Sequence, residues 1–248
     1  MPTPRAGRLV GRRVIVTRAA ERAGGLSALL RDEGAELVEI AVTRTDDATD
    51  GGRAFREAMS RVSQFDWIVV TSPEGARRVS ALLAELGVAR SSVACRVAAV
   101  GRATAELIGG ADLVPSTQTS QSLGELFPTG TGRVLLAVAE SAGTDFETVA
   151  RDKGWMVERV HSYRTVAVRP ADADRDDAVL LIRSCDAITF TAASSVEAWV
   201  EAFGVVVPPV VVAMGPQTAR TLQRCGITGV TVAAEQSLAG IVAAIPER

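Results

Sequence analysis

The sequence has 248 residues, of which 47% are hydrophobic, 23% charged and 4% aromatic. This length suits one large or two ordinary globular domains, and the apolar fraction excludes a disordered chain. The formal net charge of −2 gives no general electrostatic basis for binding nucleic acid.

The sequence lacks the usual signatures of several kinds of site. One histidine, His161, and three widely spaced cysteines, Cys95, Cys185 and Cys225, provide no zinc-binding cluster. No glycine-rich loop ends in Lys-Ser or Lys-Thr, as a P-loop would. The longest apolar run, Val205–Met214, has ten residues including two prolines, which is too short to cross a membrane. The first 13 residues have no apolar segment typical of a secretory signal, so we expect a cytoplasmic protein with reduced thiols.

Short apolar runs alternate with helical stretches along the chain. Continuous runs of this kind are typical of strands buried on both faces of a parallel sheet. In chain order, the predicted strands are Val14–Val16, Leu37–Ile40, Trp67–Val70, Val97–Val100, Val134–Val138, Val157–Val160, Ala187–Phe190 and Val210–Met214. Helices are predicted at Leu26–Glu33, where Gly34 is a left-handed stop, and near residues 145–153, 194–203 and 217–224. The alternation predicts an α/β fold in which crossover helices cover parallel sheets.

The chain contains an internal duplication. An offset of 120 residues carries Val14–Val16 onto Val134–Leu136, and Asp66 onto Asp186. Further pairs related by this offset are Arg31–Gly34 with Arg151–Gly154, Arg44-Thr45 with Arg164-Thr165, and Thr71 with Thr191. Later matches have shorter offsets, 114 between Val97–Ala105 and Val211–Ala219 and 115 between Gln121–Leu123 and Gln236–Leu238. The sequence therefore predicts two copies of one α/β unit.

Small polar residues and glycines follow four of the predicted strands, each time before a helix. These loops are Thr71–Gly75, Gly101–Thr104, Thr191–Ser195 and Gly215–Thr218. In parallel sheets, ligands bind beyond the carboxyl ends of the strands, where helix N-termini present free N–H groups. Ordinary helix capping explains the same residue types at any one loop. Their occurrence at equivalent places in both copies favours a ligand with several anionic groups.

The ordered set of motifs resembles the uroporphyrinogen-III synthase family. The residues that carry the resemblance are Val14–Ala19, Gly34–Glu36, Phe65–Gly75, Ala99–Ala105, Tyr163–Val166, Asp186–Thr191 and Met214–Ala219. The resemblance covers about residues 12 to 245, and the motifs follow the family's order. The chain departs from the family at Ala137–Ala139, where an arginine or a glycine-rich stretch is usual, so the resemblance does not imply a ligand contact from these side chains.

The resemblance implies two similar domains, each a parallel sheet flanked by helices, joined by a two-stranded linker, with the active site in the cleft between them. The first domain is then discontinuous, with residues 1–42 and 168–248, and the second spans residues 46–162. Residues 43–45 and 163–167 form the inter-domain strands. The repeat fits this division, because residues 43–45 and 163–165 are equivalent under the 120-residue offset.

The resemblance also implies a reaction, the closure of hydroxymethylbilane, a linear tetrapyrrole with eight carboxylates, to uroporphyrinogen III. Water leaves, the last pyrrole ring is inverted, and no cofactor takes part. The implied partners are this substrate and, transiently, the preceding enzyme of the pathway, but neither nucleic acid nor a membrane. Because the pyrrole nitrogen assists the loss of the hydroxyl, one weak acid suffices, and the harder task is to orient a flexible chain.

Tyr163 is predicted to donate a proton or a hydrogen bond to the departing hydroxyl, because its phenol is a neutral donor at pH 7. The functional tyrosine of the family falls on this position. The alternative is a strand tyrosine whose ring packs and whose hydroxyl points to water. His161, two residues earlier, is expected to share the strand face of Tyr163, as a neighbour in the cleft or as a solvated edge histidine.

The carboxylates of the substrate are expected to bind backbone N–H groups and hydroxyls of the four loops. The candidate binding residues are Ser72, Pro73, Glu74, Gly75, Gly101, Arg102, Thr104, Ser194, Ser195, Gly215, Gln217 and Thr218. Arg18, which follows the first strand, is either a carboxylate clamp or a surface arginine.

Other classes of protein share some of these features. Two α/β lobes around a cleft also describe periplasmic-type receptors for small ligands and the sensory modules of regulators. A two-domain sugar-nucleotide transferase is a third alternative. An export signal, a DNA-binding domain or a clear nucleotide site would indicate these classes, and we identify none of the three in the sequence. Separation of the isomers formed from hydroxymethylbilane distinguishes a synthase from all of them.

Overall fold

The alternation of strands and helices runs through the structure, a computed structural model. It describes residues 7–18, 20–90, 93–171 and 174–247, and for residues 18 and 20–24 the backbone alone. The chain separates into two compact units. Unit 1 lies within residues 1–44 and 166–248, and unit 2 lies within residues 45–165.

The predicted strands and helices all have counterparts in the structure. The strands are β1 (Arg13–Arg18), β2 (Glu36–Asp46), β3 (Trp67–Val70), β4 (Arg96–Ala99), β5 (Arg133–Ala139), β6 (Met156–Ala167), β7 (Ala187–Phe190), β8 (Val210–Ala213) and β9 (Val230–Val232). The helices are α1 (Ala20–Asp32), α2 (Arg53–Ser60), α3 (Pro73–Glu85), α4 (Arg102–Leu107), α5 (Ser120–Leu126), α6 (Asp145–Asp152), α7 (Arg175–Arg183), α8 (Ala193–Phe203), α9 (Pro216–Arg224) and α10 (Leu238–Ala244), with a 3₁₀ turn at Val62–Gln64. No prediction covers α2, α5, α7, α10 or β9.

Each unit is built on a parallel sheet. In unit 1 the strand order is β2-β1-β7-β8-β9, and in unit 2 it is β4-β3-β5-β6. The strand pairings described within these two sheets are parallel. Parallel neighbours need crossover connections, and helices supply most of them here, so the predicted α/β class is confirmed.

Both faces of each sheet are covered by apolar side chains. In β3, Ile68 and Val70 pack in one cluster of unit 2, while Trp67 and Val69 pack in another. Alternate residues of a strand point to opposite faces of its sheet. Burial on both faces is therefore the reason that this strand reads as a continuous apolar run.

The duplication is visible in individual hydrogen bonds. In unit 2, Oδ2 of Asp66 accepts a hydrogen bond of 2.8 Å from the backbone N–H of Arg133. In unit 1, Oδ2 of Asp186 accepts one of 2.8 Å from the backbone N–H of Arg13. Each residue differs from its equivalent by 120 positions, but in opposite directions along the chain. The pair β1–β7 of unit 1 therefore corresponds to the pair β5–β3 of unit 2.

Glycines stop equivalent helices in the two copies. Gly34 follows α1 with a φ of +84°, and Gly154 follows α6 with a φ of +94°. These are left-handed conformations that favour glycine, which confirms Gly34 as the predicted helix stop.

The helix caps correct one part of the repeat alignment. Oγ1 of Thr119 caps α5 and accepts from the N–H of Ser122, and Oγ of Ser237 caps α10 and accepts from the N–H of Gly240. Thr119 is therefore equivalent to Ser237, an offset of 118 residues. The offset of 115 residues predicted for this region from the sequence is wrong.

Cys95 and Cys185 lie outside the four predicted loops and are buried free thiols. Burial raises the pKa of each thiol above its ordinary value.

Within the described part of the chain, no helix is long and apolar enough to cross a membrane. Among the same residues, no group of three or more His, Cys, Asp or Glu side chains is placed to hold a metal ion.

Candidate active site

The loops predicted to bind a ligand lie at the carboxyl ends of neighbouring strands. In unit 2, Thr71–Gly75 follows β3, and Gly101–Thr104 follows the adjacent β4. In unit 1, Thr191–Ser195 follows β7, and Gly215–Thr218 follows the adjacent β8. Parallel strands end at the same edge of a sheet, so each unit brings two of the predicted loops to one edge.

Tyr163 lies on β6 and is buried, with 8% of its surface exposed. Its phenolic O–H donates a hydrogen bond of 3.1 Å to Oγ of Ser72, at the start of α3. The guanidinium carbon of Arg78 lies 5.9 Å from the centroid of the Tyr163 ring. The fold thus joins the predicted donor to one of the predicted binding residues, 91 positions earlier in the chain.

A β-bulge in β6 sets the direction of Tyr163. In the pairing with β5, Val138 lies opposite His161 and Ala139 lies opposite Tyr163, so Ser162 is an extra residue. An extra residue reverses the alternation of side chains along a strand. His161 is accordingly exposed, whereas Tyr163 is buried. The expectation that these two side chains share a face is therefore wrong.

His161 instead lines a surface pocket together with Glu140 and Arg159. Glu140 follows β5 and accepts hydrogen bonds from the backbone N–H of Thr49, at 2.5 Å, and from its hydroxyl, at 3.0 Å. The pKa of Glu140 is lowered from its ordinary value of 4.5, first of all by the hydrogen bond from this N–H. The two hydrogen bonds of this carboxylate therefore link the loop that follows β2 to the loop that follows β5.

Ser72 caps α3 from the end of the loop after β3. Its Oγ accepts a hydrogen bond of 3.0 Å from the backbone N–H of Gly75. Pro73 occupies the first helical position and has no N–H. A Cβ on Gly75 would lie 3.1 Å from Oγ of Ser72 and 3.4 Å from the carbonyl oxygen of Ala137. Among the backbone donors predicted at Ser72–Gly75, Pro73 therefore has no N–H to donate, and the N–H of Gly75 is already bonded to Ser72.

An ion-pair network binds Arg78, whose guanidinium lies beside the ring of Tyr163. Oε1 of Glu74 accepts hydrogen bonds from Nε of Arg78, at 3.1 Å, and from the hydroxyl of Thr45, at 3.3 Å. Nη1 of Arg78 also lies 2.6 Å from Oδ1 of Asp47. These contacts hold the guanidinium beside the ring. Arg78 is absent from the predicted site, although its position four residues after Glu74 is typical of an ion pair along a helix.

The start of α4 holds the other predicted residues of unit 2. Gly101 precedes the helix and provides no side-chain cap. Thr104 is buried, whereas Arg102 is exposed. The side chain of Gln118 packs so closely on Gly101 that a Cβ there would overlap its Oε1. A side chain at this position would therefore require the exposed side chain of Gln118 to shift.

In unit 1, Ala192 precedes α8 and provides no side-chain cap. Ser195 is buried, and its hydroxyl donates a hydrogen bond of 2.7 Å to the carbonyl oxygen of Ala192, whereas Ser194 is exposed. The side chain of Arg18 lies outside the described residues, and its backbone pairs with Thr43 at the end of β1.

The start of α9 resembles that of α4. Gly215 precedes the helix without a side-chain cap, and Pro216 is the first helical residue. Gln217 is exposed and Thr218 is buried. A Cβ on Gly215 would lie 3.0 Å from the side chain of Gln236.

Two glutamines at these helix starts are not among the predicted site residues. Gln118 and Gln236 each directly precede the hydroxyl residue that caps the next helix, Thr119 or Ser237. The repeated order of a glutamine and a capping hydroxyl in both copies is the pattern that identifies them.

The family comparison matches most of the chain. The family model described as uroporphyrinogen-III synthase HemD matches residues 24–243. The chain is 28% identical to a uroporphyrinogen-III synthase of Synechococcus elongatus, over 96% of each protein. It is 27% identical to the chloroplastic uroporphyrinogen-III synthase of Oryza sativa subsp. japonica, over 64% of this chain and 55% of that one.

Solved structures share the fold at lower identity. A mutant uroporphyrinogen III synthase of Thermus thermophilus matches with a TM-score of 0.61 and 22% identity, over 94% of this chain and 96% of that one. Uroporphyrinogen-III synthetase of Helicobacter pylori matches with a TM-score of 0.64 and 14% identity, over 94% and 97%. At these identities the likeness establishes the fold alone.

Proposed function

The chain belongs to the uroporphyrinogen-III synthase family, and from this we propose that it closes hydroxymethylbilane to uroporphyrinogen III with Tyr163 as the donor to the departing hydroxyl. The protein is accordingly an enzyme of porphyrin biosynthesis. The assignment of Tyr163 is supported by its phenol, which lies 3.1 Å from Oγ of Ser72 at the carboxyl-end loop of β3. A non-catalytic module that binds small ligands is not favoured by the family match.

The proposed reaction begins with loss of the hydroxyl. The C–O bond breaks, its electron pair leaves with oxygen, and the pyrrole nitrogen supplies electron density to the carbon. A proton from the phenol of Tyr163 completes the departing water. The electrophilic carbon then bonds to the α-carbon of the last pyrrole that already carries the bridge, and the bond from this α-carbon to its old bridge carbon breaks. The freed bridge carbon, now electrophilic, bonds to the other α-carbon of the same pyrrole, which inverts the ring and closes the macrocycle. That α-carbon releases one proton, which restores the phenol. The steps therefore balance without an oxidant or a reductant.

The carboxylates of the substrate are proposed to bind at helix starts. The first N–H groups of a helix have no partner within it and attract anions. Both α8 and α9 begin without a side-chain cap. In α8 the N–H of Ser195 already donates to the carbonyl oxygen of Ala192 at 3.2 Å, so the first turn of α9 gives the stronger support. The exposed side chains of Arg102, Ser194 and Gln217 add donors at the same loops. With a net charge of −2, binding of an eight-carboxylate substrate depends on such local donors.

Two further proposals concern the setting of the enzyme. We place it in the cytoplasm, which is supported by its free cysteines, since reducing compartments keep thiols unpaired. We also propose a transient contact with the preceding enzyme of the pathway. Direct delivery would limit closure without inversion, because the substrate assists the loss of its own hydroxyl.

The substitution Tyr163→Phe tests the role of the phenol. It removes one hydroxyl and keeps the ring beside Arg78, so the fold is expected to persist by circular dichroism. Formation of uroporphyrinogen III from hydroxymethylbilane should slow roughly ten- to a thousandfold, as expected for the loss of a proton donor.

The isomers are separated and counted in the same assay. A parent protein that yields only the isomer formed without inversion would contradict the proposed function. Unchanged turnover of Tyr163→Phe would leave the enzyme assignment intact and show that Tyr163 only packs.

A further inference from the structure

The two copies differ at the residues that surround Tyr163. The 120-residue offset relates Tyr163 to Thr43, Ser72 to Ala192, and Gly75 to Ser195. The ion pairs beside the ring also change, since Asp47, Glu74 and Arg78 correspond to Ala167, Ser194 and Ala198, whereas Thr45 is retained as Thr165. The phenol, the capping hydroxyl and these ion pairs are therefore particular to unit 2, although both units share one fold.

Unit 1 shows that the fold does not need a serine at the cap position of this helix. There Ala192 precedes α8 and provides no side-chain cap. The hydroxyl of Ser195, at the third helical position, donates to the carbonyl oxygen of Ala192 at 2.7 Å. The helix forms and is buried with this arrangement, so capping alone does not account for Ser72.

In unit 2 the hydroxyl has moved from the third helical position to the cap. Oγ of Ser72 accepts from the N–H of Gly75 at 3.0 Å and lies 3.1 Å from the phenolic oxygen of Tyr163. A side chain at Gly75 would crowd both Oγ of Ser72 and the carbonyl oxygen of Ala137. Serine in place of alanine at the cap, and glycine in place of serine at the third helical position, thus bring one hydroxyl against the phenol and keep the space around it clear.

The hydroxyl of Ser72 can act as the middle link in a chain of hydrogen bonds. A serine hydroxyl has one proton and two lone pairs. One lone pair is bound by the N–H of Gly75, at the positive end of the 13-residue helix α3. When the phenol of Tyr163 turns its proton to the substrate, Ser72 turns its own proton to the phenolic oxygen, where negative charge develops.

We propose that Ser72 is a positioning residue that acts through Tyr163, as the middle link of a hydrogen-bond chain from the N–H of Gly75 to the phenol. The proposal rests on the proposed function of Tyr163. Ser72 neither gains nor loses a proton in the reaction. Chains of hydrogen bonds polarise one another, so the link strengthens as the phenol donates. Arg78, held by Glu74 and Asp47, fixes the ring, and Ser72 fixes the direction of its hydroxyl.

The test is a double-mutant cycle on turnover. Ser72→Ala should lower kcat about three- to tenfold, the effect of one lost hydrogen bond, with KM within about twofold of the parent. Ser72→Thr keeps the hydroxyl and should restore most of the loss. In the Tyr163→Phe background, Ser72→Ala should change kcat by less than about twofold, because the group through which it acts has gone.

Ser237→Ala is the matched control. Oγ of Ser237 accepts from the N–H of Gly240 at 2.9 Å, the same capping bond as in Ser72, but at the start of α10. This variant should lose comparable stability against urea and keep the kcat of the parent. Equal slowing of Ser237→Ala and Ser72→Ala would assign the effect to a lost cap and overturn the proposal.

Two other outcomes would also overturn it. If the losses of Ser72→Ala and Tyr163→Phe multiply in the double variant, or if KM rises while kcat is unchanged, Ser72 acts on the substrate directly. A normal kcat for Ser72→Ala together with a slow Tyr163→Phe would contradict the inference about Ser72 and leave the proposed role of Tyr163 intact. A normal kcat for Tyr163→Phe would contradict the proposed role of the phenol as well, so the two failures are distinguishable.

Discussion

Replacing Thr218 by proline tests whether backbone N–H groups at the start of α9 hold a carboxylate of the substrate. Thr218 is the third residue of the helix, after Pro216 and Gln217. The helical hydrogen-bond ladder starts one residue later, where the N–H of Ala219 donates to the carbonyl oxygen of Gly215 at 3.1 Å. The N–H of Thr218 is therefore not needed by the ladder, and proline is tolerated in a first turn.

The expected loss of affinity follows from the bonds removed. Thr218→Pro deletes an N–H that is proposed to bind a carboxylate, and a hydrogen bond to a charged group contributes about 1.5–3 kcal/mol. That corresponds to roughly 10- to 150-fold weaker binding. The proline ring also restricts the backbone of Gln217, which adds to the loss. Thr218→Ala removes the hydroxyl and keeps the N–H, so binding should weaken only about two- to tenfold.

Titration with a non-reactive linear tetrapyrrole measures the affinity, and circular dichroism checks the fold. Asp177→Pro is the matched control, because Asp177 is the third residue of α7, which also begins without a side-chain cap. This control should bind like the parent. If both Thr218 variants bind like the parent, the N–H groups at the start of α9 do not bind the substrate. If alanine is as damaging as proline, the hydroxyl carries the contact and the reasoning from backbone donors is refuted.

Two further predictions concern contacts within the individual units. Asp66→Ala and Asp186→Ala each remove the acceptor of one backbone N–H in the repeated pair and should each lower the free energy of unfolding in urea by about 0.5–1.5 kcal/mol; a loss in only one of them would contradict their equivalence. The pKa of Glu140 is lowered in the folded protein, so its pairing with Thr49 stabilises the fold above the ordinary pKa near 4.5 and is lost as pH falls through the lowered value. Glu140→Gln should therefore make stability less sensitive to pH below about 4.5, as compared by urea unfolding at pH 7 and pH 3.5; the same decline in both proteins would count against this account.

The strands were predictable because burial leaves a direct mark on the sequence. Trp67–Val70 is buried on every residue, so it reads as an apolar run that no exposed helix would show. β9, by contrast, is three residues long, lies at a sheet edge and has two exposed residues. Such a segment shows no hydrophobic periodicity from which a strand could be predicted. The helix α2 does carry a pattern, since Phe55, Ala58 and Met59 are buried at helical spacing among charged residues.

The loops of the candidate site were predictable, but the contacts within them were not. The positions of Ser72 and Tyr163 follow from the strands that precede or contain them. Their contact depends on the extra residue Ser162 in β6, which reverses the side-chain alternation. A bulge of one residue leaves no mark in an apolar run, so His161 and Tyr163 are expected on one face when only the sequence is read.

A duplicated chain provides an internal comparison that separates the needs of the fold from those of the reaction. Asp66 and Asp186 make the same 2.8 Å bond in both units, because every copy of the sheet must satisfy the first N–H of the same strand. Ser72, Arg78 and Tyr163 have no chemical equivalent in unit 1, yet the order β2-β1-β7-β8 in unit 1 repeats the order β6-β5-β3-β4 in unit 2. Residues that the fold can dispense with in one copy, and that meet around a single phenol in the other, support the role proposed for that phenol.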